Sequence, residues 1–154
     1  MRRSAVAALI VACALVLAGS ATAAAPNYIR VSGPRLAKPL LLSNWKQNLR
    51  IMLAVVNGRE LPAATKMRGR PRLEFTLYWA WKGAAPRTDH PAATPPCLAA
   101  GAGQPCLQHD WFYPAHRGRP AVTEFVYNGL PTVRIATRGL LALLRSYGIP
   151  TSAT

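Results

Sequence analysis

Nine residues from Leu73 to Trp81 constrain the fold more than any other stretch of the chain. Leu73, Phe75, Leu77, Trp79 and Trp81 alternate with Glu74, Thr76, Tyr78 and Ala80. Successive side chains of a strand point to opposite faces, so this pattern predicts a strand with one buried and one wetter face. A single strand cannot bury its apolar side alone, so the remaining chain must provide a sheet and a covering layer. The alternation puts Trp79 and Trp81 with Leu73 in the core. It puts Tyr78 on the exposed side, within reach of Tyr113 or Tyr127 across strands.

Two segments have the helical period that such a layer needs. From about Asn44 to Val56, the residues Trp45, Leu49, Met52, Leu53 and Val56 recur on one helical face, and Lys46, Gln47, Asn48 and Arg50 take the other. Ser43 or Asn44 can cap the start, and Asn57-Gly58 supplies a left-handed stop. Thr137 caps a second helix over about Arg138 to Tyr147, whose buried stripe is Leu140, Leu143, Leu144 and Tyr147; Gly148 and Pro150 end it. Tyr28–Ser32, Trp111–Ala115, Ala121–Tyr127 and Thr132–Ala136 read as strands, and Lys38–Leu42 as extended chain. Short turns between consecutive strands favour antiparallel pairing. The expected fold is therefore α+β: an antiparallel sheet of about four to five strands, with two amphipathic helices packed on one face.

The N-terminus reads differently. Met1-Arg2-Arg3 is a basic start, Ala5 to Ala18 is an uncharged apolar run, and Gly19 to Ala25 is rich in small residues. This is the three-part pattern of a secretory signal peptide, and the apolar run is short for a membrane span. Cleavage is expected near Ala25, leaving 26–154 as one small domain that is secreted or held in the periplasm or cell envelope. The 154-residue chain has 19 Lys+Arg against 5 Asp+Glu. Fifteen of the basic residues are Arg, and many Ala, Gly and Pro accompany them, so base composition of the genome is one source of the charge.

After the leader, Cys97 and Cys106 are the two thiols left, and nine positions apart in an oxidising compartment they are expected to form a disulfide. Their spacing is not that of a redox C-x-x-C pair or of a zinc motif. The bridge would pin the second half of a long loop from Gly83 to Cys106 that carries five prolines.

The most specific string is Arg68-Gly69-Arg70-Pro71, repeated as Arg117-Gly118-Arg119-Pro120. Arg-Gly-Arg-Pro resembles the core of the AT-hook family, and the resemblance covers only those few residues. It implies an extended segment with Arg68 and Arg70 in the minor groove of A·T-rich DNA. Each copy also precedes an expected strand, where Gly and Pro are ordinary turn residues. A chain exported from the cell seldom meets intracellular DNA. The reading carried forward is an Arg-rich surface of Arg59, Lys66, Arg68, Arg70, Arg72, Arg117 and Arg119. Its expected partner is an anionic polymer or an anionic membrane surface.

The alternative is a secreted hydrolase or metal-binding protein centred on His109, Asp110 and His116, with Asp89-His90 in the long loop. Histidine serves as acid, base or ligand near neutral pH, and zinc needs three or four converging ligands. The five acids Glu60, Glu74, Asp89, Asp110 and Glu124 form no paired motif, although Glu74 and Glu124 could face each other across the sheet. There is no G-x-S-x-G, H-E-x-x-H or phosphate-loop motif. No cofactor and no metal is called for, and a non-enzymatic role is the first expectation.

Overall fold

The computed structural model describes residues 25–62, 65, 67–85, 94–127 and 129–153. Residues 1–24 of the expected leader, Lys66, and the Asp89-His90 pair lie outside those residues. In chain order the elements are β1 (Tyr28–Ser32), β2 (Leu40–Leu42), α1 (Trp45–Val56), β3 (Glu60–Leu61), β4 (Leu73–Trp79), β5 (Cys106–Tyr113), β6 (Val122–Tyr127), β7 (Leu130–Ile135) and α2 (Arg138–Ser146). The strands form one sheet in the order β2-β1-β4-β5-β6-β7-β3. Every neighbouring pair is antiparallel. The α+β expectation holds at this level, with seven strands in place of four to five. The additions are short edge strands: β2 has three residues and β3 has two. Sequence periodicity has nothing to register in so few residues.

Register sorts the side chains by face. Ile29, Val31, Leu73, Phe75, Leu77 and Phe112 form one buried cluster together with Ile51 of α1 and Leu140 and Leu144 of α2. Tyr113, Val122 and Val133 form a second, smaller cluster on the other face, where Leu61, Met67, Trp111 and Ile135 pack against it.

α1 runs between the two edges of the sheet, starting after β2 and ending before β3. Asn44 caps it, its Oδ1 accepting from the N–H groups of Lys46 and Gln47. Its buried side is not the stripe that hydropathy picks out. Asn48 and Ile51 are buried and Met52 and Val55 partly so, whereas Trp45 is 56% exposed and Leu53 45%. The reason is a polar anchor. The Asn48 amide donates to the carbonyls of Pro26, Asn27 and Leu42, at 3.0, 3.2 and 3.4 Å. These carbonyls lie at the start of β1 and the end of β2. Buried carbonyls need partners, and Asn48 supplies them at the cost of turning Trp45 outward.

Two turn expectations also change. Asn57 closes α1 in the right-handed region, and Gly58 has no positive φ. Gly58 is required for another reason: a Cβ there would sit 2.3 Å from the Ile135 carbonyl oxygen of β7. The alternation of β4 stops at Trp79 because Ala80 has φ +51. That step turns Trp81 onto the ring of Tyr78, 5.4 Å away edge to face. Tyr78 is consequently buried, not an exposed aromatic.

Candidate anion-binding surface

The two Arg-Gly-Arg-Pro strings are both turns. In the first, Arg70 N–H donates to the Met67 carbonyl, and Gly69 takes φ +76. In the second, His116 and Arg119 exchange both backbone hydrogen bonds, and Arg117 and Gly118 have φ +49 and +74. Positive φ at both central residues is the type I′ hairpin geometry, which matches strand twist and favours glycine. Neither copy is the extended segment that a minor-groove hook requires.

The fold brings these turns together. Arg70, from the first, donates through Nη2 to the carbonyls of Pro120 and Pro114, at 2.7 and 3.1 Å. Its guanidinium lies 5.9 Å above the Tyr113 ring. Burial lowers the pKa of Arg70, and the charge of Arg119 lowers it further; two cations from separate turns are thus within electrostatic reach. Arg72 stacks over Trp111 at 5.6 Å. Arg68, Arg117 and Arg119 are exposed, and none has an ion-pair partner among the described residues.

Two open grooves flank this ridge. One, of about 390 Å³, is lined by Met67, Arg68, Arg70, Arg72, Tyr113 and Glu124. The other, of about 500 Å³, is lined by Arg70, Arg72, Glu74 and Trp111 among others. Glu74, Trp111 and Glu124 are direct cross-strand neighbours on β4, β5 and β6. Glu74 and Glu124 therefore do not face each other; Trp111 stands between them. Glu124 accepts from the Tyr113 hydroxyl at 2.7 Å. Burial and the Glu124 carboxylate raise the Tyr113 pKa, so the phenol stays protonated.

The site expectations divide accordingly. Arg68, Arg70, Arg72, Arg117 and Arg119 belong to one region. Arg59 does not join them: its carbonyl accepts from Ile135 on β7, three strand spacings from Tyr113, or about 14 Å.

The histidine constellation is dispersed. His109 and Asp110 are consecutive on β5, which extends to Cys106 and not only over Trp111–Ala115, so they point to opposite faces. His109 donates through Nδ1 to Glu74 at 2.8 Å, and both side chains are nearly half exposed. His116 donates through Nδ1 to the Ala153 carbonyl at 3.1 Å, holding the C-terminal segment against the Ala115 backbone. Among the described residues no three His, Cys, Asp or Glu side chains converge to hold a metal ion.

Asp110 lies on the opposite face of the sheet from His109. It lines an apolar cavity with Phe75, Phe112, Phe125, Ile51 and Leu144, where about 20 Å³ is open to the centre of a water-sized sphere. That is room for about one water. Burial pushes the Asp110 pKa up to about 7, against smaller opposing effects from the Gln108 amide, the charge of His109 and the Val126 N–H. The pairing of β5 with β6 stops at Trp111–Glu124. The Asp110 carboxyl accepts the Val126 N–H just beyond that point, where the ladder no longer does.

Cys97 and Cys106 are bonded. The segment they close lies along the free edge of β5, with Cys97 N–H donating to Leu107 and Leu107 N–H to Pro95. Such bonds are compatible with an oxidising location. Among the described residues no helix is long and apolar enough to cross a membrane.

No known family model, curated protein or solved structure matches the chain.

Sequence reasoning missed Asn48, Arg134 and the grouping of the two turns. Arg134 donates to the Val56 carbonyl and, at 3.2 Å, to Glu60, closing the C-terminus of α1 from β7. Only the repetition of Arg-Gly-Arg-Pro before strands hinted at the grouping, since repeated strand entrances can lie at one end of a sheet.

Proposed function

We propose that this is a small exported, non-enzymatic protein that binds an anionic polymer of the cell envelope or its surroundings. The ligand would lie across the ridge where the two Arg-Gly-Arg-Pro turns meet. In this reading both helices cover one face of the sheet, and the opposite face is left for the ligand. The observation that carries it is the Arg70–Pro120 hydrogen bond, which fixes the two turns side by side. Arg68, Arg117 and Arg119 then present unpaired guanidinium groups next to aromatics already stacked under Arg70 and Arg72. Guanidinium forks suit phosphate, sulfate and carboxylate groups. The leader-like N-terminus and the disulfide support export.

Retention on heparin, DNA and a teichoic acid polymer, measured over a salt series, tests the reading. Affinity should fall steeply with salt as counterions are released. The triple variant Arg68→Ala/Arg117→Ala/Arg119→Ala should flatten the log–log slope by roughly 3. No retention on any polymer at low salt, or an unchanged slope in the variant, sinks the proposal.

A further inference from the structure

α1 is apolar on two sides. Its inner side, Ile51, Met52 and Val55, belongs to the core. At about 100° per residue, Trp45, Leu49, Leu53 and Val56 form a second stripe, and Lys46 and Arg50 follow it on the outward side. Burial agrees with that wheel: Trp45, Lys46, Arg50 and Leu53 are exposed, and Leu49 and Val56 half-buried. An exposed Trp and Leu on one helix, one of them at the outward pole, is more than scattered surface hydrophobicity.

The charges that α1 itself carries are of one sign, Lys46 and Arg50, and the nearest acid, Glu60 past its C-terminus, is paired with Arg134. From Ala25 to Arg59 the chain contains no Asp or Glu; the first acid is Glu60, beyond the end of α1. Of the basic residues in that interval, Lys46 and Arg50 stand on α1 beside the stripe and are exposed. A protein partner would have to complement a Trp–Leu stripe and the Lys46 and Arg50 charges together. An anionic bilayer surface offers both at once: acyl chains for Leu49 and Leu53, the headgroup level for Trp45, and anionic headgroups for Lys46 and Arg50.

We infer that the outward stripe of α1 seats on the surface of an anionic lipid bilayer, lying in the interface without crossing it. This surface is distinct from the arginine turns, and the inference stands whether or not those turns bind a polymer. It gives the basic face of α1 a lipid role.

The test uses the chain as isolated from its producing cells, with phosphatidylglycerol-containing and pure phosphatidylcholine vesicles in flotation. Binding should require phosphatidylglycerol. Trp45→Ala combined with Leu53→Gln should weaken it roughly ten- to hundredfold, with unchanged melting because both positions are exposed. Lys46→Glu/Arg50→Glu should abolish it at low salt while keeping the apolar stripe. The emission difference between wild type and Trp45→Phe should shift to the blue on phosphatidylglycerol vesicles. Arg68→Ala/Arg117→Ala/Arg119→Ala should leave that shift in place, which separates this surface from the polymer ridge. Three results would overturn the inference: equal flotation by wild type and the Trp45/Leu53 variant, vesicle binding lost only in the turn variant, or a concentration-dependent dimer that Trp45→Ala dissolves.

Discussion

His109 and Asp110 are consecutive residues of β5, and the two faces of the sheet treat them differently. His109 lies on the face with the arginine turns, half exposed and paired with Glu74. Asp110 lies on the other face, among Phe75, Phe112 and Leu144, and burial holds its pKa near 7. One position along a strand separates a solvated charge from a carboxyl that is neutral over much of the acid range. The lesson is that this sheet segregates its electrostatics by register. Arg68, Arg70 and Arg72 approach the wet face through a turn and never meet Asp110. On its own face the Asp110 carboxyl takes its hydrogen bonds from the Gln108 amide and the Val126 N–H and forms no ion pair among the described residues.

The comparison can be broken most directly by truncating one aromatic from each face. Phe112 is 1% exposed in the main cluster, and Phe112→Ala should lose about 3–5 kcal/mol. Trp111, its neighbour, is only partly buried beneath Arg72. Trp111→Ala should lose less than half as much while weakening polymer retention. Urea denaturation of both variants checks the order. Equal losses would mean that the arginine-bearing face is as much a core as the other.

Asp110 supplies the next largest effect, and its sign follows from linkage. Burial raises the folded-state pKa to about 7 from the ordinary 3.8. Between those values the native state binds more protons than the unfolded chain, so stability falls as pH rises. The contribution is fully present below about pH 4 and is lost as pH climbs through 7. Asp110→Asn imitates the protonated form, so its stability should not fall over that window. At pH 8 it should exceed wild type by a few kcal/mol. Melting curves at several pH values for the two proteins decide this. A wild-type profile parallel to that of the variant would mean that Asp110 is ionised when folded.

The disulfide belongs to the boundary between the faces. It ties Pro95–Cys97 to the β5 edge that β6 leaves unpaired beyond Trp111. Closing so short a loop constrains the unfolded chain by about 2–3 kcal/mol. The Cys97→Ala/Cys106→Ala variant should lose that much in urea. It should also gain amide exchange at Leu107, whose N–H is held by the Pro95 carbonyl.

How much of this was legible before the structure follows from how local each cause is. β4, β6 and α2 were readable because their patterns are long, although Thr76 and Tyr78 of β4 are buried on the side expected to be wetter. The bridged cysteines were readable from compartment and count. α1 was found with its N-terminal cap, but its left-handed stop and its buried side were misplaced. The decisive group was Asn48, whose partners Pro26, Asn27 and Leu42 are remote in the chain. The end of β4 was misjudged because one residue, Ala80, adopts a left-handed φ that nothing in its identity announces. The arginines of the candidate surface were named from a repeated string; their meeting depends on a bond between residues 50 apart. Arg59 is set apart from the two turns by the order of the strands, beside β7.

The weakest expected effect completes the comparison of the two faces. Glu74 and His109 form one of the two ion pairs among the described residues, yet both side chains are more than two-fifths exposed. Exposed pairs gain little, because water and salt screen them and two side chains must be ordered. Glu74→Gln keeps the size and the acceptor oxygen while removing the charge. It should change stability by less than about 0.5 kcal/mol, and the change should vanish in high salt. The same substitution removes a negative wall from the groove beside Arg72, so polymer retention should rise slightly. A loss of several kcal/mol would place Glu74 in the dry regime of Asp110, and the division by register would fail on the face that matters for binding.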